Sequence, residues 1–532
     1  MMTKRRSLVF ICCVGCLLAT ATTGRCEDNE PDKVQHVAAQ VQHVATKDLS
    51  LVKDAFLCGY TRNLVNENVA GRKLASLTVG CIWDGKLSKN LRMDRPFFSV
   101  WTRDLYWGYQ GWAQAGDDSV LATMKSSLEL LILAKDKNQA LGHVKHWPLN
   151  DERFYVPQAY TTGVKIAEDF FPWCSESQAH FILLARDYWR LSGDLDFIRS
   201  IWPDICYVAK TLELMDTNGN ALPDNVWGSY DYQGIGVGTE EPLLCATTYA
   251  AYRAVAELAR ELQKPSLAQR LDKLADRIHE TMNKPITQGG LWKLIDGGGY
   301  FVNVRVITPG KERIDERFIP YENLGPMFFG ITSPSQDKAI FAKLDADYDK
   351  YYGTKYGPMY IALAVKHDKS EVAYTSAPWL GFLDVYLRCK RGVESNRSRI
   401  FKALIDHAYD IPTGCFTEGL GVYGYLSGVS GRSWDNGNFF HTLMVGIYGV
   451  EKSARGIRIS PPVPVESMPI SELKNVRWRD AVYDLRWEGS GRRLKEVRVD
   501  GQNRLGAESE PVSEFVVADR SGKHQIVIVL ED

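Results

Sequence analysis

The sequence predicts a mainly α fold: a toroid of helical hairpins over residues 51–456, followed by a small C-terminal antiparallel β domain over 457–532. Three observations carry this. Apolar residues recur at helical spacing for most of the chain. The segments between them are long and rich in turn residues and aromatics, which suits helical hairpins with functional loops at one end and not a βαβ array. After Gly456 the pattern changes to short, partly alternating runs divided by Gly, Ser, Asp and Asn, the signature of strands.

The chain opens with Lys4, Arg5 and Arg6, then the apolar run Ser7–Ala21 and small residues to Gly24. A basic start, an apolar stretch of about 15 residues and small residues before a polar segment read as a secretory signal peptide over 1–24. The stretch falls short of the roughly 20 apolar residues of a membrane span, so the expected product is a soluble, secreted or periplasmic protein. Residues 25–50 form a linker in which Gln35-His36-Val37-Ala38 recurs as Gln42-His43-Val44-Ala45. In the body, Ser119–Ala134, Glu176–Leu191, Thr248–Leu262, Leu267–Met282 and Pro378–Cys389 carry the i, i+3, i+4, i+7 pattern of helices. Asp216–Gly238 and Gly414–Asn438 read as aromatic-rich loops, with a helix beginning near His441. Ile457–Ile459, Ala481–Trp487, Leu494–Val499, Glu514–Ala518 and Gln525–Leu530 read as strands in antiparallel connection.

Composition narrows the partners. With 64 basic and 65 acidic side chains the net charge is −1, which gives no concentrated basic face for nucleic acid or for anionic membrane beyond the export signal. Three of the 11 cysteines (Cys12, Cys13 and Cys16) fall in the signal peptide and the other eight include no CxxC pair, so neither a zinc ribbon nor a dense disulfide scaffold is expected. GxSxG, HExxH and P-loop motifs are absent, and Gly297-Gly298-Gly299 reads as a turn. The 14 Trp, 25 Tyr and 20 Phe make an aromatic share of 11%, enough to build a large core and also to line surfaces that stack on sugar rings.

Three segments hold residues that suit chemistry. In Phe97–Trp107, Trp101 and Trp107 offer flat apolar faces, and Arg103 and Asp104 a charged donor and acceptor; this is either the mixture a hydroxyl-rich ring needs or a buried ion pair under aromatics. In Asp216–Tyr232, the opening resembles a calcium loop but lacks the glutamate at position 12 that completes one. No cofactor is expected there, and calcium stays open as a ligand. Further on, Trp227, Tyr230 and Tyr232 surround Asp231; desolvation by such rings raises a carboxyl pKa, as a general acid requires. In Phe416–His441, Glu418 sits in an aromatic loop with Tyr423, Tyr425 and Trp434, where a carboxylate orients water if a partner carboxyl faces it.

Taken together and in order, these segments resemble the six-hairpin glycosidases, in particular the glucosidase domain of glycogen debranching enzymes and the family 63 and family 116 glycoside hydrolases. The resemblance covers about residues 95–450 and implies an (α/α)6 barrel. It implies that Trp101, Arg103 and Asp104 hold the nonreducing-end sugar, that Glu176 supplies another sugar-binding carboxylate, and that Asp231 is the general acid and Glu418 the general base of an inverting enzyme. Trp107, Tyr230, Trp379 and Trp434 complete the expected sugar site. Tyr374–Leu380 is similar to the family's His-x-Gly-x-x-Trp-Pro-Trp-Leu segment but lacks its His and Gly, which leaves the glycone open. The activity implied is an exo-acting, inverting, α-glucosidase-like hydrolase of a neutral oligosaccharide or glycoside. A rhamnosidase or other toroid glycosidase, a disaccharide phosphorylase and an inactive carbohydrate-binding protein are the alternatives.

Overall fold

The computed structural model describes residues 99–140, 175–225, 238–349, 378–410 and 431–532, apart from 467–469, 506–509 and 519–520. It also describes short stretches at 55, 59–69, 72–77, 159–161, 169–171, 375–376, 416, 419–421 and 426–427. The expected signal peptide and linker lie outside these residues, as do Tyr230, Asp231 and Glu418.

Among the described residues there are twelve α-helices. They alternate between two environments. Helices α1 (Thr102–Ala115), α3 (Ser175–Ser192), α6 (Pro242–Glu261), α8 (Tyr321–Phe328), α10 (Pro378–Arg391) and α12 (Ser433–His441) are buried over most of their circumference. Such helices belong inside a protein. Each packs on the next, and α12 packs on α1, so the six close into a ring. Helices α2 (Asp118–Ala140), α4 (Leu195–Ser200) with α5 (Trp202–Glu213), α7 (Pro265–Asn283), α9 (Pro334–Ala346) and α11 (Arg397–Asp410) return the chain between them. In α7 burial is confined to one stripe, Ala268, Leu271, Ala275, Ile278 and Met282, the pattern of an outer helix. The predicted helices all appear.

Backbone contact closes the ring. A Cβ on Gly111 of α1 would run into the carbonyl of Gly437 in α12, and one on Gly437 into the carbonyl of Gly108. Glycine at these three positions lets the first and last inner helices touch main chain to main chain.

Four features differ from the expectations. First, the body is not purely helical: Thr239–Glu240, Trp292–Ile295, Gly298–Val306 and Arg313–Phe318 form a four-stranded antiparallel sheet. The Gly-rich turn is its hairpin, with Asp296-Gly297 between Ile295 and Gly298 and Gly297 at φ 81°, a loop that suits strand twist. Second, the loop expected to run to Asn438 ends at Arg432, so α12 precedes the helix expected near His441, which follows as the π-helical stretch Thr442–Ile447 with His441 at its N-cap. Third, the strands Val450–Ser453 and Gly456–Ile459 pair with each other, so the expected boundary at 456/457 falls inside a hairpin of the β domain. Fourth, an unpredicted strand, Glu472–Trp478, joins the main sheet of that domain, in which Ala481–Glu488 runs parallel to Gly522–Glu531; its other pairings are antiparallel.

Candidate functional site

Because the six inner helices share one direction around the ring, their first turns gather at one mouth. Four carry an acidic residue there: Asp104 in α1, Glu176 in α3, Glu322 in α8 and Asp435 in α12. A helix N-terminus presents unpaired N–H groups and positive partial charge. Two of these carboxylates cap a neighbour: Glu322 accepts from Leu243 N at 2.7 Å and Asp435 from Trp379 N at 2.9 Å. The ring of N-termini is thus stitched by its own acids.

Within that ring lies a buried charged cluster. Arg103 Nη1 meets Glu176 Oε1 at 2.8 Å, with both side chains 1% exposed. Arg432 Nε meets Asp104 Oδ1 at 2.8 Å and its Nη1 lies 3.7 Å from Asp435 Oδ2. Both guanidinium groups cover Trp434, with Cζ 4.6 Å (Arg432) and 5.5 Å (Arg103) from the ring centroid. Trp434 stacks on Trp379 at 4.4 Å and on Trp107 at 5.9 Å. Removing one partner of such a buried pair strands the other charge, at a cost of about 3–5 kcal/mol.

Two residues here went unnoticed in the sequence. Arg432 pairs with Asp104 across 328 residues, and only its place two residues before Trp434 echoes the Trp-x-Arg-Asp of α1. His180 stacks on Tyr106 at 5.1 Å and stands 6.4 Å from Trp107. Burial, and then the charge of Arg103, push its pKa down to about 3, which keeps the imidazole neutral beneath the cluster.

Of the expected sugar-site residues, the structure joins Arg103, Asp104, Trp107, Glu176, Trp379 and Trp434 in one contact network. Arg103 and Asp104 belong to the first turn of α1 and do not precede it. Trp101 is half-buried on the short strand before them. Trp107 lies one ring deeper, against Phe328 at 5.0 Å.

Asp231, Tyr230 and Glu418 lie outside the described residues, but the residues flanking their segments are well held. On the Asp231 side, Asn225 N donates to Thr239 O at 2.6 Å and Gly238 N to Asn225 O at 2.9 Å. The Asn225 side chain accepts from Ser175 Oγ at 3.0 Å and donates to Glu241 Oε1 at 2.7 Å. Ser175 precedes Glu176. On the Glu418 side, Asn436 fixes the backbone of Phe416 twice, accepting from its N at 3.1 Å and donating to its O at 3.0 Å. Gly419–Gly421 pairs with Thr375–Ser376 and Leu426–Ser427.

In the calcium-like loop, Asp216 accepts from Ala221 N, the Asn218 and Asn220 amides donate to Glu240, and Arg305 pairs with Glu240. Its polar groups serve the turn. Burial raises the pKa of Asp224 to about 6, where Thr217 donates to it. Among the described residues no group of three His, Cys, Asp or Glu is placed to hold a metal ion. No described helix is long and apolar enough to cross a membrane.

No family model matches the chain, and neither does any curated protein. Solved structures do. A GH78 family rhamnosidase of Bacillus sp. GL1 aligns at TM-score 0.53 and 12% identity, over 82% of this chain and 41% of its own. A bacterial glucoamylase, solved with acarbose, aligns at TM-score 0.52 and 16% identity, over 76% of this chain and 56% of its own. The chain therefore spans about two-fifths and just over half of these proteins, and what it shares with them is the fold: an (α/α)6 toroid of the kind found in glycosidases.

Proposed function

We propose that the chain is an exo-acting, inverting glycoside hydrolase of a neutral oligosaccharide or glycoside, with Asp231 as general acid and Glu418 as general base. The observation that supports this reading is that the described residues flanking both carboxylate segments are held next to the charged cluster in the chain. Asn225 ties the base of the Asp231 segment to Ser175, beside Glu176, and Asn436 ties Phe416 beside Asp435. Arg103, Asp104, Glu176 and Arg432 offer the planar, charged donors and acceptors that fix sugar hydroxyls, and Trp434 an apolar ring face.

In this mechanism Asp231, protonated, donates its proton to the glycosidic oxygen as the bond to the anomeric carbon breaks. Glu418, ionised, takes a proton from a water that attacks the opposite face, which requires the carboxyls to stand about 6.5–9.5 Å apart. The leader Met1–Gly24 sends the chain out of the cytoplasm, where such a substrate is met.

The test is turnover of a panel of nitrophenyl α-glucosides, α-rhamnosides and disaccharides by the purified chain and by Asp231→Asn and Glu418→Gln. Each variant is expected to lose about 10²–10⁴-fold in kcat/KM. Variants as active as the parent would contradict the assignment, and phosphate-dependent turnover would select a phosphorylase instead.

A further inference from the structure

The inner helices have a second end. Opposite the charged cluster, their C-terminal halves and the β-domain hairpin Val450–Ile459 border an open-sided cavity of about 720 Å³, inside the range of roughly 300–1,000 Å³ typical of small-molecule sites. Its roof is fixed to the toroid: Ala454 N donates to Arg190 O at 2.7 Å and Lys452 N to Gln114 Oε1 at 2.6 Å. The Lys452 ammonium donates to the carbonyl of Gly116 at 2.5 Å. Trp107 and Phe328 block the axis between the two ends, their rings 5.0 Å apart.

The lining limits what fits. Tyr106, Phe328, Phe329 and Tyr386 supply aromatic surface. Six of the nine charged side chains around them form pairs, Arg186 with Asp187 at 2.6 Å, Arg190 with Glu257 at 2.6 Å, and Arg458 with Glu451; of the other three, Lys452 is turned onto the Gly116 carbonyl and Arg455 and Glu261 are opposite in sign. A free anion needs surplus cations, a metal needs surplus carboxylates and a lipid chain needs an apolar wall. Paired guanidinium and carboxylate groups keep spare donor and acceptor sites without net charge. His441 lines the same wall, held by its Nδ1, which donates to Gln110 O at 3.0 Å. Alternating donors and acceptors beside aromatic faces match a ring with hydroxyls on its edge and C–H groups on its faces.

We propose that this cavity is a second carbohydrate site, which holds a neutral mono- or disaccharide between the toroid and the β domain. It does not depend on hydrolysis at the other mouth. The test is calorimetric titration of the full chain carrying Asp231→Asn, with glucose, rhamnose and maltose as probes. At least one probe is expected to fill a site whose affinity falls about tenfold or more, the loss of about 1.4 kcal/mol, when Ala454→Trp fills the cavity or Glu257→Gln breaks its wall. Melting curves verify that both variants fold, and in the Asp231-containing chain both keep the parent rate on nitrophenyl glycosides. Binding of no probe, or binding that neither folded variant weakens, overturns the proposal. Loss of turnover in Asp231→Asn with cavity binding intact would leave both readings standing, whereas cavity binding by a chain that never hydrolyses would overturn only the hydrolase reading.

Discussion

Arg103 and Arg432 meet over one indole, and the residues below them must carry no competing charge. His180 meets that condition because burial and Arg103 hold its pKa near 3, well under the ordinary 6.5. The consequence is a pH dependence with a definite sign. Between about pH 6.5 and 3 the unfolded chain protonates this histidine and the folded chain does not, so folding stability falls as pH drops, by up to about 1.4 kcal/mol per unit. His180→Phe, which keeps a ring against Tyr106, is expected to flatten the fall in melting temperature across that window; an unchanged slope would contradict the neutral assignment. At this scale the sequence was legible where partners are close in the chain. Arg103 and Asp104 stand out beside two tryptophans, whereas Arg432 gains its meaning from an aspartate 328 positions away, a pairing that only the closed ring creates.

Elements were legible in proportion to their regularity. Helices with an unbroken apolar stripe, such as α7, appear where periodicity puts them. The strand Glu472–Trp478 was missed because Asn475 adopts φ 58° and the register shifts between Leu473 and Val476; a bulge breaks the two-residue alternation on which recognition rests. The hairpin at Asp296-Gly297 did carry its signal, but within a long helical region it passed for a simple turn. The meeting of α1 and α12 gives a sharper prediction. Gly437→Ala forces a methyl group against the Gly108 carbonyl and is expected to cost about 1–3 kcal/mol by overpacking, read as a lowered melting temperature. Gly446→Ala, whose Cβ would lie 3.4 Å from Tyr386, is the control and should melt close to the parent. Equal melting of the two would mean that glycine does not set the helix contact.

For the whole molecule, closing six inner helices into a ring sorts function by end. The first turns of the inner helices meet at one mouth, and the segments that carry Asp231 and Glu418 precede two of them in the chain. At the other end the turns are short and the β domain packs on them, with Arg479 Nη2 donating to Ser192 O at 3.2 Å. The toroid was foreseeable because helical periodicity persists over most of the chain; the domain boundary was not, because the chain enters the sheet at Val450 without a break in apolar pattern. The pairing of a general acid with a general base across that mouth is the central claim, and stereochemistry tests it most directly. Proton NMR of the sugar first released from the best nitrophenyl α-glycoside should show the β anomer appearing before mutarotation. Release of the α anomer would contradict Glu418 as the base that activates water.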